Sequence, residues 1–145
     1  MEELRSVLLL HRVGDGHHYD WMIEQPGTTQ DAAGQGDDDD ARTLLTWRVA
    51  VDSPAWAQQR DPAGRPGVAM EQLPAHRRVY LWREGPIGDG RGEVQRVDEG
   101  RVRLQSWGES GGQLEVQLRG FAGLVQLQRE AGDRWFMRIM RSAKH

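Results

Sequence analysis

Apolar and polar residues alternate along most of this chain, in short runs. QLEVQLR (113–119) sets Leu114, Val116 and Leu118 against polar neighbours. A period of two marks a strand with one buried face. HYDWMIE (18–24) alternates in the same way, with Tyr19, Trp21 and Ile23 against His18, Asp20, Met22 and Glu24. LRSVLLLH (4–11), TLLTWRVAV (43–51), HRRVYLWRE (76–84), GEVQRV (92–97), RVRLQSW (101–107), AGLVQLQRE (122–130) and RWFMRIM (134–140) read as further strands. Asp98-Glu99-Gly100 and Ser110-Gly111-Gly112 carry turn chemistry between neighbours. Short strands at near-regular spacing predict an all-β fold, a compact closed or nearly closed β-barrel of about eight strands. One short helix is predicted at SPAWAQQ (53–59), with Ser53 as N-cap and Pro54 at the first helical position.

Length and charge refine this picture. The 145 residues suffice for a single domain with one core, and no internal repeat divides them. Hydrophobic residues make up 37%, which leaves no segment apolar enough to span a bilayer. The opening MEELRSVLLLHR lacks the basic start of a secretory signal, and there is no cysteine. A cytoplasmic, monomeric protein with no membrane partner is the expectation. The net charge is −3, but the run DAAGQGDDDD (31–40) holds five of the 22 acidic residues, leaving 17 against 19 basic ones elsewhere. Several arginines fall between Arg77 and Arg103, so a modest phosphate-facing patch is compatible with the composition. The acidic run lies in a long polar loop (25–41), expected to be mobile and solvated because like charges repel.

The densest chemistry lies in HRVGDGHHYDWMIE (11–24). With strands 4–11 and 18–24 paired as a hairpin across Arg12–His17, His11 stands opposite His18, and Asp20 projects from the same face two residues on. Two imidazoles and a carboxylate at one point suit Mn²⁺, Fe²⁺ or Zn²⁺ and leave coordination positions open. His17 competes with His18 for the ligand role, and Asp15 between two glycines is a turn residue. On the other face Leu8, Leu10, Tyr19, Trp21 and Ile23 form an apolar backing. The bland alternative is a polar, histidine-rich hairpin that binds nothing.

The same stretch resembles the metal motif of the 3′-phosphoesterase domain of bacterial DNA ligase D, a histidine followed by a second one and then Tyr-Asp-x-Arg-Leu-Glu. LLTWRVA (44–50) is similar to that family's Ser-Trp-Ala-Val strand. HRRVYLWREG (76–85) matches a His-Pro-x-x-Tyr-x-x-x-Glu-Gly block at His76, Tyr80, Glu84 and Gly85. LRGFAGLVQLQR (118–129) and RWFMRI (134–139) resemble its closing strands, so the likeness runs in order along nearly the whole chain, closest to small stand-alone relatives of that domain. It implies a β-barrel with a divalent metal, Mn²⁺ first and Zn²⁺ as the alternative, in an open crater. It also implies removal of 3′-phosphate or a terminal ribonucleotide from DNA 3′ ends, alongside end-joining repair proteins. By the same likeness His11, His18 and Asp20 would be metal ligands, and His76 and Tyr80 would contact the scissile phosphate.

Two departures bear on activity. Met22 stands where the family carries a phosphate-binding arginine, and methionine cannot make that contact. One extra residue separates His11 from His18. Arg78, at strand alternation between His76 and Tyr80, is a candidate substitute anchor, and Trp82 would share that face and line the crater rim. Three readings follow: a metal-dependent phosphoesterase, a metal-bearing module that binds nucleic-acid ends or another phosphate ligand without turnover, and an interaction protein without a ligand. GPIGDGRGE (85–93) lacks the Lys-Ser/Thr of a nucleotide-binding loop and reads as turn and strand entry. Trp21, Trp47 and Trp135 fall on faces expected to form core.

Overall fold

The computed structural model describes residues 3–26, 41–49, 60, 63–88 and 90–142. Nine strands form it: β1 (Glu3–Val13), β2 (Gly16–Glu24), β3 (Leu44–Val49), β4 (Gly67–His76), β5 (Gly85–Pro86), β6 (Glu93–Gly108), β7 (Gly111–Leu118), β8 (Ala122–Ala131) and β9 (Arg134–Ser142). Their order is β1-β2-β3-β4-β9-β8-β7-β6, and β6 returns to pair with β1. Eight antiparallel strands therefore close a hydrogen-bonded ring, with the two-residue β5 appended to β6. The protein is all-β, a nearly closed barrel. The expected helix at 53–59 and the acidic run 31–40 lie outside the described residues.

Alternation decides what fills the ring. Leu4, Leu8 and Leu10 of β1 and Tyr19, Trp21 and Ile23 of β2 point inward, joined by Val102, Leu114, Val116, Val125, Leu127 and Met137. Trp47 stands at the centre, its ring 5.9 Å from Trp21 and 5.5 Å from Trp135. The Trp21 indole N–H donates to the Ser6 hydroxyl at 2.7 Å, which satisfies a donor that the apolar interior cannot.

A second, smaller core lies on the outside of the ring. Val7 and Leu9 of β1, Met22 of β2, Leu44 of β3 and Val94 of β6 face outward yet are buried, because Tyr80, Leu81 and Ile87 cover them. Segment 76–84, expected as a strand, supplies much of this cover. The strand there is β4, ending at His76, and the chain then tightens into a 3₁₀ turn over Arg78–Leu81. A strand would send Tyr80 and Leu81 to opposite sides. The turn buries both against the same sheet face, which is what wins.

The predicted turn at 98–100 is also corrected. β6 runs unbroken through it, bulging between its pairings to Leu8 and Leu9. Asp98 is buried, and its carboxylate accepts the backbone N–H groups of Glu99, Arg119 and Gly120 at 2.7–2.9 Å. Its turn chemistry thus serves the neighbouring β7–β8 connection.

Candidate metal centre and its crater

β1 and β2 are joined by Gly14-Asp15, with Gly14 at φ 58° as a tight two-residue turn requires. The strands extend further into the expected loop than their apolar runs indicate, to Val13 and Gly16. In this register His11 pairs with His18 and Leu9 with Asp20. The outward face of the hairpin therefore carries His11, His18 and Asp20, directly above Leu9 and Met22. His11 Nδ1 lies 3.1 Å from His18 Nε2, which lies 3.3 Å from Asp20 Oδ2. All three ligand-type atoms fall within 4.8 Å of one another. Atoms bound at about 2.0–2.2 Å to one ion sit about 3–3.5 Å apart when adjacent, so the spacing fits a shared divalent cation. His17 is exposed, its ring edge-on to Tyr19 at 6.2 Å, and takes no part in this group.

The remaining contacts decide which atoms a cation could use. His11 Nε2 lies 2.8 Å from the Arg91 carbonyl, which can only accept. That ring nitrogen therefore bears the proton, and Nδ1 of the neutral ring presents a lone pair to the cluster. The 87–92 loop that carries Arg91 is closed by Ile87 N–H donating to the Gly92 carbonyl at 2.7 Å. Gly92 has φ 88°, and a Cβ there would collide with the Arg12 carbonyl.

Burial pushes the Asp20 carboxyl up from 3.8 to about 6, although His76, Arg48 and His11 pull the other way. Burial, helped by Arg48, His11 and His17, pushes His18 down to about 4. The 3.3 Å contact between them is therefore not an ion pair of two charged groups: near pH 5 both are neutral, and at pH 7 only Asp20 is charged. Asp20 Oδ1 is fully buried and has no hydrogen-bond partner. A buried carboxylate oxygen left alone is costly. The other oxygen, Oδ2, is the one beside His18 Nε2, so this carboxylate, half of it unpartnered, is the feature of the cluster that a cation would satisfy.

The cluster opens into a cavity of about 220 Å³, lined among others by Leu9, His11, Asp20, Met22, His76 and Tyr80. His76 Nδ1 lies 2.8 Å from the Pro74 carbonyl, so it carries the ring proton and Nε2 remains to meet a ligand. The His76 and Tyr80 rings are 5.9 Å apart. Met22 is 1% exposed and forms part of the floor.

Arg78 sits elsewhere. It contacts the buried Glu24 carboxylate at 3.5 Å and the Trp82 ring at 5.3 Å, and neither it nor Trp82 lines this cavity. The arginines that line the crater are Arg42, Arg77 and Arg91. None was singled out by strand alternation. Arg77 adjoins His76 but is turned by the 3₁₀ segment, and Arg42 and Arg91 arrive from loops distant in sequence. Compared by sequence with known protein families and with curated proteins, the chain matches none.

Proposed function

We propose that the protein is a metal-dependent phosphoesterase acting on 3′ ends of DNA, including RNA-tailed ends, with Mn²⁺ as the first candidate ion. The observation that carries this reading is the convergence of His11, His18 and the buried Asp20 carboxylate, one oxygen of which is partnerless, on a crater whose lining includes Arg42, Arg77 and Arg91. A bound divalent ion would polarise a phosphate oxygen and acidify a coordinated water. His11, His18 and Asp20 would hold it, with His11 oriented by the Arg91 carbonyl. Arg42, Arg77 and Arg91 supply positive charge for a phosphate dianion, a task that Met22 cannot perform. His76 lines the cavity, and in its doubly protonated form, with Nδ1–H kept on the Pro74 carbonyl, it would donate a proton from Nε2 to the leaving oxygen. The Tyr80 hydroxyl donates to a non-bridging oxygen. End-joining repair proteins are the partners this role would require.

One observation favours a second reading, a barrel that binds phosphate ends without turnover. Met22 places an apolar side chain on the crater floor, where the resembled family has an arginine. Losing one positioned donor costs about 10²–10³ in rate. Release of inorganic phosphate from a 3′-phosphorylated DNA primer, measured with and without Mn²⁺, separates the two. Metal-dependent release abolished by His76→Ala supports the esterase. Metal binding with no release supports the binding module and removes the esterase.

A further inference from the structure

A second cavity, of about 340 Å³, lies across the 3₁₀ turn from the crater. Tyr80 faces the crater, while the next two residues, Leu81 and Trp82, line the second cavity. One face of β1 runs beneath both: His11 and Leu9 line the crater, Val7 and Arg5 the groove. From His11 to Arg5 is about 20 Å at strand rise.

Two features of the groove call for an anion and a flat ring. Arg5 and Arg101 are directly paired across β1 and β6, both exposed. Like charges in that position repel, and among the described residues no carboxylate forms an ion pair with either. Glu99, the acid of the groove, is engaged by Arg96 and Arg119. Trp82 is 41% exposed, although Arg78, held on buried Glu24, braces its ring. A large indole kept at the surface beside uncompensated arginines is the composition of a single-strand nucleic-acid platform.

We infer that this groove binds the single-stranded tail leading to the 3′ end, with an unpaired base on Trp82 and backbone phosphates on Arg5 and Arg101. The inference rests on the crater accepting a strand's terminus, and it adds the substrate class: an unpaired tail rather than a blunt duplex. The span of about 20 Å matches the ~4-nucleotide sites at the short end of single-strand binders.

The test is fluorescence anisotropy of labelled oligothymidylates of two to eight nucleotides on the full chain, which needs no turnover. Affinity should rise with length to about four nucleotides and then level off. Trp82→Ala should weaken the tetranucleotide about tenfold, with Trp82→Phe restoring most of it. Arg5→Gln/Arg101→Gln should reduce the slope of log K against log salt by about 1.4, the value for two phosphates on a single strand. No binding, or binding indifferent to all three changes, overturns the groove. Variant-sensitive binding without phosphate release from 3′-phosphorylated primers leaves the groove standing and overturns the esterase.

Discussion

Asp20→Asn is predicted to stabilise the metal-free protein while abolishing its response to metal. Moving the carboxyl from 3.8 to about 6 corresponds to about 3 kcal/mol, at about 1.4 kcal/mol per tenfold change in proton affinity. The direction follows from linkage. The folded carboxyl holds its proton more tightly than the unfolded one, so folding stability falls as pH rises from about 4 to about 6, and the full cost is present above that. His18 works in the opposite sense. Its folded value of about 4 lies below 6.5, so its contribution rises with pH across that window. In the wild type the two slopes oppose each other, whereas in Asp20→Asn only the His18 slope remains. With EDTA at pH 7.5 the variant should therefore melt higher, by 1–3 kcal/mol or about 3–9 °C, and the gain should shrink toward pH 4. With Mn²⁺ at a hundred times its Kd the wild type should gain about 2.7 kcal/mol and the variant nothing. Thermal melts across pH, with and without metal, read both effects. A variant less stable than wild type in EDTA, or one still stabilised by Mn²⁺, refutes the picture of a strained carboxylate awaiting a cation.

Mn²⁺ affinity should fall about tenfold per pH unit below 6, where binding must displace the Asp20 proton; titration calorimetry at three pH values checks this. Met22→Arg should raise phosphate release by one to two orders of magnitude by restoring a positioned donor. It should also lower Tm, because a guanidinium replaces a side chain only 1% exposed. Gly92→Ala should weaken Mn²⁺ binding at unchanged ligand residues. A Cβ there meets the Arg12 carbonyl and must displace the loop whose Arg91 carbonyl orients His11, an effect that paired metal titrations of variant and wild type would register.

Much of this was legible in the chain, and the reason is periodicity. The hairpin could be placed because His11 and His18 flank a glycine-rich stretch and Asp20 shares His18's alternation, although the turn is tighter, Gly14-Asp15, than the expected Arg12–His17 loop. The inward set of Leu8, Leu10, Tyr19, Trp21 and Ile23 followed from the same rule. The rule failed where a segment packs by local turn rather than by strand. β4 has a mixed sequence with Pro74 near its end, and no clean alternation marks it as a strand. HRRVYLWRE alternates passably, but its Tyr80-Leu81 pair gains more by covering the outer face together. That difference takes Trp82 to the groove beside the crater and Arg78 onto Glu24 and the Trp82 ring. Arg42 and Arg91 were invisible for another reason: nothing local in an arginine reports which distant loop will carry it to a site.

The most direct measurement is anomalous diffraction at the manganese edge from crystals grown with Mn²⁺. The account predicts one strong peak per chain, within coordination distance of His11 Nδ1, His18 Nε2 and an Asp20 carboxylate oxygen, and its loss in His18→Ala. A crater without a peak, or an ion bound only by other residues, would contradict it.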